Sequence, residues 1–166
     1  MKTVIKRIQQ KMKDKNIEGN PVTSLEYVKR FELENNIKLP EELVLFYTEV
    51  CNGCRMLDGF NLSRMEDWKY DMNHLTKDFL FKEFWIWEDD YDAQKMNCIT
   101  DGNLELIDIG DAQTWNIIIN GKEIGKMWFF TDVGIQPCAP SMSFLEWFEF
   151  WLDGNEDYFW GFNNGE

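Results

Sequence analysis

Cys51 and Cys54, in the stretch EVCNGCRM (residues 49–56), have the spacing of a thiol redox couple or of half a zinc site. A structural zinc site commonly takes four ligands from two close pairs, and the other candidates, Cys98, Cys138 and His74, are isolated from one another in the chain. A reactive couple sits at the start of a helix, where the dipole lowers the thiol pKa. Here the pair follows the end of a helix expected over residues 40–50, near the negative pole, which raises the pKa and blunts reactivity. The sequence therefore argues against both chemistries. It assigns the middle pair, Asn52-Gly53, the role of stopping the helix, since Gly readily takes φ > 0.

His74 is the only histidine, so a nucleophile–His pair would have to use it, and a His-rich metal site is excluded. No nucleophile elbow, P-loop or dinucleotide fingerprint is present. The run EDDYD (88–92) offers oxygen ligands for a divalent cation but lacks the spacing and glycine of an EF-hand loop, and is read as a solvated acidic loop. The expectation is a protein with no catalytic residue, no metal and no cofactor.

The elements that must position these residues belong to an acidic chain of 166 residues, with 17 Lys/Arg against 30 Asp/Glu and a net charge of −13. Aromatic residues make up 16% of it, including 8 Trp and 13 Phe, enough apolar area for a substantial core. The charge is uneven: residues 1–38 hold nine Lys/Arg against five Asp/Glu, and the rest hold eight against 25. Nucleic-acid binding needs a basic footprint and is not expected; basic proteins are the natural partners of such a body. No stretch reaches the ~18 apolar residues of a membrane span, residues 1–15 lack the apolar segment of a signal peptide, and four scattered cysteines suit reduced thiols. A cytoplasmic protein, monomer or homodimer, is expected.

Val4, Ile5, Ile8 and Met12 recur at helical spacing, with Lys2, Lys6, Arg7, Lys11 and Lys13 around them, predicting an amphipathic helix over 2–14. A loop follows over 16–21. Thr23 or Ser24 caps a second helix with Leu25, Val28 and Phe31 on its stripe, ended by Asn35-Asn36. Pro40 suits the first position of a third helix, with Glu41 and Glu42 in its first turn and Leu43, Phe46, Tyr47 and Val50 buried. Residues 55–81 resist assignment. Strands are expected around 84–88 and over 104–109, then a hairpin turning on Asn120-Gly121, with Gly125 inside its second run. Pro137 and Pro140 mark a loop. Ser143 and Glu146 form a capping box for a helix with Phe144, Phe148, Trp151 and Leu152 on its apolar stripe. An aromatic, acidic tail covers 155–166. The order predicts a single α+β domain, a curved, mostly antiparallel sheet with the helices gathered on one face.

The run ELENNIKLPEELVLFYTEVCNG (32–53) resembles the signature of the SUKH superfamily, the domains similar to the fungal Smi/Knr cell-wall regulators. Its parts are Glu32, Ile37, Leu39-Pro40, Glu41-Glu42, Leu43, Phe46-Tyr47 and Asn52-Gly53. Later pieces fit in order: Gly110-Asp111, the hairpin, Gly125 to Trp128, and the closing helix at Ser143-Phe144. The resemblance covers about residues 24–153. Cys54 stands where the family has a second glycine, Asn35-Asn36 where it often has Leu-Gly, and 55–103 is poorly matched.

The resemblance implies a non-enzymatic immunity protein that binds and neutralises a toxin encoded beside it, often a nuclease. An acidic surface suits the basic cleft of such a toxin, and aromatic anchors ringed by carboxylates would supply the interface. The stretch WIWEDDYD holds the candidates Trp85, Trp87, Glu88, Asp89, Asp90, Tyr91 and Asp92. The competing assignment is a core strand followed by an acidic turn, and both hold if one parity packs inward and the other outward. A scaffold or regulator like the fungal members is the alternative function, and a thiol or zinc protein using Cys51 and Cys54 the third.

Overall fold

The computed structural model describes residues 1–56 and 59–155, so the tail expected over 155–166 lies, but for Asn155, outside the described residues. The chain folds as an α+β unit. Helix α1 (Lys2–Asp14) buries Ile5, Ile8 and Met12. Helix α2 (Leu25–Asn35) starts at Ser24, whose hydroxyl accepts the Tyr27 N–H at 3.0 Å, and ends at Asn36 with left-handed backbone. Its stripe is Val28, Phe31 and Glu32; Leu25, expected to be buried, is 51% exposed because it is the first helical residue and faces out.

Helix α3 (Glu41–Leu45) begins one residue later than expected, with Pro40 extended and preceding it. It continues over Phe46–Val50 as a wider turn closed by the bond from the Cys51 N–H to the Phe46 carbonyl. The chain then straightens at Cys51, and Gly53 makes the turn with φ +78°.

The principal sheet has five strands, all paired antiparallel, in the order β3 (Trp85–Ile86), β7 (Gly134–Pro137), β6 (Met127–Phe130), β5 (Gln113–Ile118), β4 (Asn103–Gly110). A small ladder, β1 (Cys54–Arg55) with β2 (Asn61–Leu62), lies beside the β4 edge, where Ser63 donates to the Leu106 carbonyl. On one sheet face Trp115 opposes Phe129 and Ile117 opposes Met127, and both pairs belong to the main core shared with α1, α2, α3 and α5 (Phe144–Leu152). On the other, Ile118, Trp128 and Ile135 meet Phe79 and Trp85 in a second, smaller core. The helices α1, α2, α3 and α5 share one face as expected. The opposite face is not bare: residues from the poorly matched stretch, including Phe79, Phe81, Met96 of α4 (Ala93–Met96) and Ile99, cover it.

Two turn expectations are corrected. The loop between β5 and β6 spans 119–126 and is not a two-residue turn on Asn120-Gly121. Asn120 is taken by other partners: its carbonyl accepts the Phe79 N–H at 3.1 Å and its side-chain amide donates to the Leu75 carbonyl at 2.7 Å. Gly125 belongs to this loop and not to the strand. The tight hairpin is instead at Asp111-Ala112, between β4 and β5, where Gly110 pairs with Gln113 and the two turn residues have φ +50° and +59°. Pro137 ends strand β7, opposite Trp128, where the sequence suggested loop. A proline is tolerated there because the ladder needs no further donor from it.

Candidate functional site

The expected partner-binding residues fall together at the β3 end of the sheet. Gly134 allows this, since a side chain there would come within 2.7 Å of the Trp85 carbonyl and hold β3 off β7. The chain then turns sharply. The Ile86 carbonyl accepts from the Asp89 and Asp90 amides at 3.3 Å each, and Trp85 Nε1 donates to the Asp90 carbonyl at 3.0 Å. That last bond closes the turn at its base. Phe84 and Tyr91 each lie one residue outside this bond in the chain.

Both tryptophans are held by the fold. Trp85 is 7% exposed, with Phe81 stacked on it at 5.7 Å and Trp87 edge-on at 5.6 Å. Trp87 is half-buried and donates its Nε1 to the Asp132 carbonyl at 2.9 Å. The strand expected around 84–88 is shorter than that: only Trp85–Ile86 pair, the chain is already turning at 87–89, and alternation reaches no further than exposed Phe84 beside buried Trp85, since Ile86 and Trp87 are both half-buried. The outward aromatics are Phe84, 62% exposed, and Tyr91, 70% exposed. Phe84, which follows the exposed Glu83 in the chain, was not among the expected contact residues.

The carboxylates divide similarly. Asp92 accepts the Gln94 and Lys95 amides at 2.8 and 3.1 Å, capping α4. Asp90 is 3.8 Å from Lys95 Nζ, which also lies 5.3 Å from the centre of the Trp85 ring. Glu83, Glu88 and Asp89 are exposed, and none has an ion-pair partner among the described residues. The surface therefore offers two outward rings and three unneutralised carboxylates on a turn fixed from inside.

The other chemistry-bearing residues are placed differently. Cys51 and Cys54 are both buried, and a hydrogen bond between them, together with burial, drives the Cys54 thiol far above its ordinary range. His74 Nδ1 is hydrogen-bonded to the buried Asp101, with Asp71 3.7 Å from its other nitrogen. Burial and the neighbouring, hydrogen-bonded Asp101 raise the Cys98 thiol as well. Asp101 thus interacts with both the imidazole and the thiol. Among the described residues no group of three or more His, Cys, Asp or Glu side chains is placed to hold a metal ion, and no helix is long and apolar enough to cross a membrane.

The motif residues of 32–53 have structural tasks. Glu32, buried, accepts the Leu39 N–H at 2.9 Å and the Lys38 ammonium at 2.6 Å, tying the end of α2 to the start of α3. Asn52, also buried, accepts the Met65 N–H at 2.8 Å and donates to Glu66 at 2.9 Å. Glu42 accepts the Leu145 N–H at 3.0 Å, at the head of α5. Trp128 and Phe144 are fully buried, one in each core, while Gly110-Asp111 leads into the tight hairpin. Against protein-family models, curated proteins and solved structures, the chain finds no match.

Proposed function

We propose that this chain is an immunity protein of the SUKH type, a non-enzymatic cytoplasmic binder that neutralises a cognate toxin of basic, nuclease-like character. The observation that carries the reading is the segment 83–91: Phe84 and Tyr91 exposed on a braced turn that also carries Glu83, Glu88 and Asp89, which have no ion-pair partner among the described residues. Exposed aromatic rings are the residues that dominate interface energies, and unpaired carboxylates around them attract and orient a cationic surface. The burial of the Cys51 and Cys54 thiols supports a binding role over thiol chemistry. Support for the family comes from Glu32, Asn52 and Glu42, whose bonds give the motif positions a physical reason to be those residue types.

The test is co-expression with the toxin candidate encoded beside it. Protection from the toxin and co-purification as a 1:1 complex are expected; no protection and no complex would refute the proposal. A scaffold role is the second reading, favoured by the exposed Leu25 and Leu33 of α2; it predicts several unrelated partners and no loss when 85–92 is altered.

A further inference from the structure

The ammonium of Lys95 lies over the Trp85 ring, next to the Asp90 carboxylate. It lies 5.3 Å from the centre of the Trp85 ring and 3.8 Å from Asp90 Oδ2, the only cation placed on that ring among the described residues. The ring is backed by stacked Phe81 and flanked by Trp87, and its indole N–H is already used by the Asp90 carbonyl. What Trp85 has left to offer is a π-face beside a carboxylate, a combination that attracts an alkylammonium or guanidinium. Lys95 is itself about half exposed, on a helix of a single turn held by the Asp92 cap. Its side chain swings away without disturbing that cap, because the cap bonds the backbone.

We infer that Lys95 is an internal stand-in for a lysine or arginine side chain of the partner, covering the Trp85 ring and Asp90 until that side chain displaces it. The inference rests on the proposed function, since it assumes a cationic protein surface as the occupant. It deepens that reading by giving the tryptophan a role that its burial in the free protein conceals. The outward Phe84 and Tyr91 make the first contact; Trp85 becomes a contact only after exchange. The exchange makes Lys95 a specificity-determining residue: a partner must offer a cation able to replace one already bound, so an apolar or acidic partner gains nothing from this position.

The test uses a hexalysine peptide as probe and the full chain labelled with 5-fluorotryptophan, the Trp85 resonance being assigned from Trp85→Phe. Lys95→Ala keeps a good helix former at the site, and Lys95→Gln serves if the alanine variant is less stable. Lys82→Ala removes one positive charge from the same segment but uncovers no ring. Removing Lys95 is expected to tighten hexalysine binding about fivefold, the scale of a partly desolvated cation–π contact, with the Trp85 resonance shifting on titration. Lys82→Ala is expected to tighten it less and to leave the Trp85 resonance as in the wild type. Equal or weaker binding by the Lys95 variants, an unmoved Trp85 resonance, or no binding by any variant would overturn the stand-in. Failure here leaves the toxin complex to be judged by its own co-expression test, so the two ideas are separable.

Discussion

The Glu42 carboxylate accepts the backbone N–H of Leu145 at 3.0 Å, so a residue in the first turn of α3 caps the head of α5, 103 positions later. The first amides of a helix have no partner within it, and a carboxylate there also meets the positive end of the dipole. The second cap on α5 is local: Glu146 accepts the Ser143 N–H at 2.8 Å. Glu42→Ala is expected to cost about 1–2 kcal/mol, the scale of a lost helix cap. Glu41→Ala, at the exposed neighbouring position, should stay within about 0.5 kcal/mol of wild type. Urea unfolding of the two variants checks this, and equal losses would contradict the cap.

Acid should weaken the joint between α1 and α5. Glu149 is hydrogen-bonded to Arg7, and Lys11 lies 2.9 Å from it; these contacts hold its carboxyl down to about 2 against an ordinary value of 4.5. A carboxylate whose pKa is lower folded than unfolded stabilises the fold above the unfolded value and loses that contribution as pH falls through the folded one. Stability is thus expected to decline from about pH 4.5 toward pH 2. In Glu149→Gln the decline over that window should be shallower, as measured by denaturant midpoints at each pH.

Gly53→Val should damage folding far more than Cys51→Ser. At φ +78° a side chain on residue 53 is strained, and its Cβ would come 2.5 Å from the Leu62 carbonyl oxygen and 2.9 Å from the Arg64 nitrogen. Both obstacles are backbone, so the cost is about 3 kcal/mol or more. Cys51→Ser buries a hydroxyl in place of a thiol, at about 1–2 kcal/mol. Melting temperatures rank the two, and a worse Cys51→Ser would overturn the assignment of this stretch to a turn.

Ala112→Gly is expected to stabilise the protein. Ala112 has φ +59°, a conformation that costs an L-residue with a Cβ about 1 kcal/mol and glycine very little. The gain, offset in part by the greater chain entropy of glycine when unfolded, should be about 0.5 kcal/mol. A lower melting temperature for the variant would contradict the left-handed turn.

Features set by local chemistry were legible in the sequence. Ser24, Asn36 and Glu146 cap their helices as the residue types demand, and the stripes of α1 and α5 follow their periodicity. What could not be read depended on distant partners. Asn120-Gly121 has the composition of a tight turn, but residues 75–79 and Gly102 take its hydrogen bonds, and the chain turns later. Asp111-Ala112 lacks the glycine that usually marks such a turn, yet adopts it. The described residues of 55–103 are held by two-residue ladders and by single bridges such as Lys69 with Glu105 and Phe79 with Gly121, which leave no periodic signal. At the candidate site composition singled out 85–92, but which residues turn inward was not legible, because Trp85 and Phe84 are equally good strand residues and only contact with Ile135 and Trp128 decides it.

The central claim, that the acidic aromatic turn is the surface that binds a basic toxin, is tested most directly by calorimetric titration of the chain with the toxin domain encoded beside it. A 1:1 complex is expected, weakened at least ~10-fold between about 50 and 500 mM salt as exposed charges are screened. Phe84→Ala with Tyr91→Ala should weaken it by about 2 kcal/mol or more, the threshold of an interface hot spot. No complex, or one indifferent both to salt and to the loss of Phe84 and Tyr91, would contradict the account.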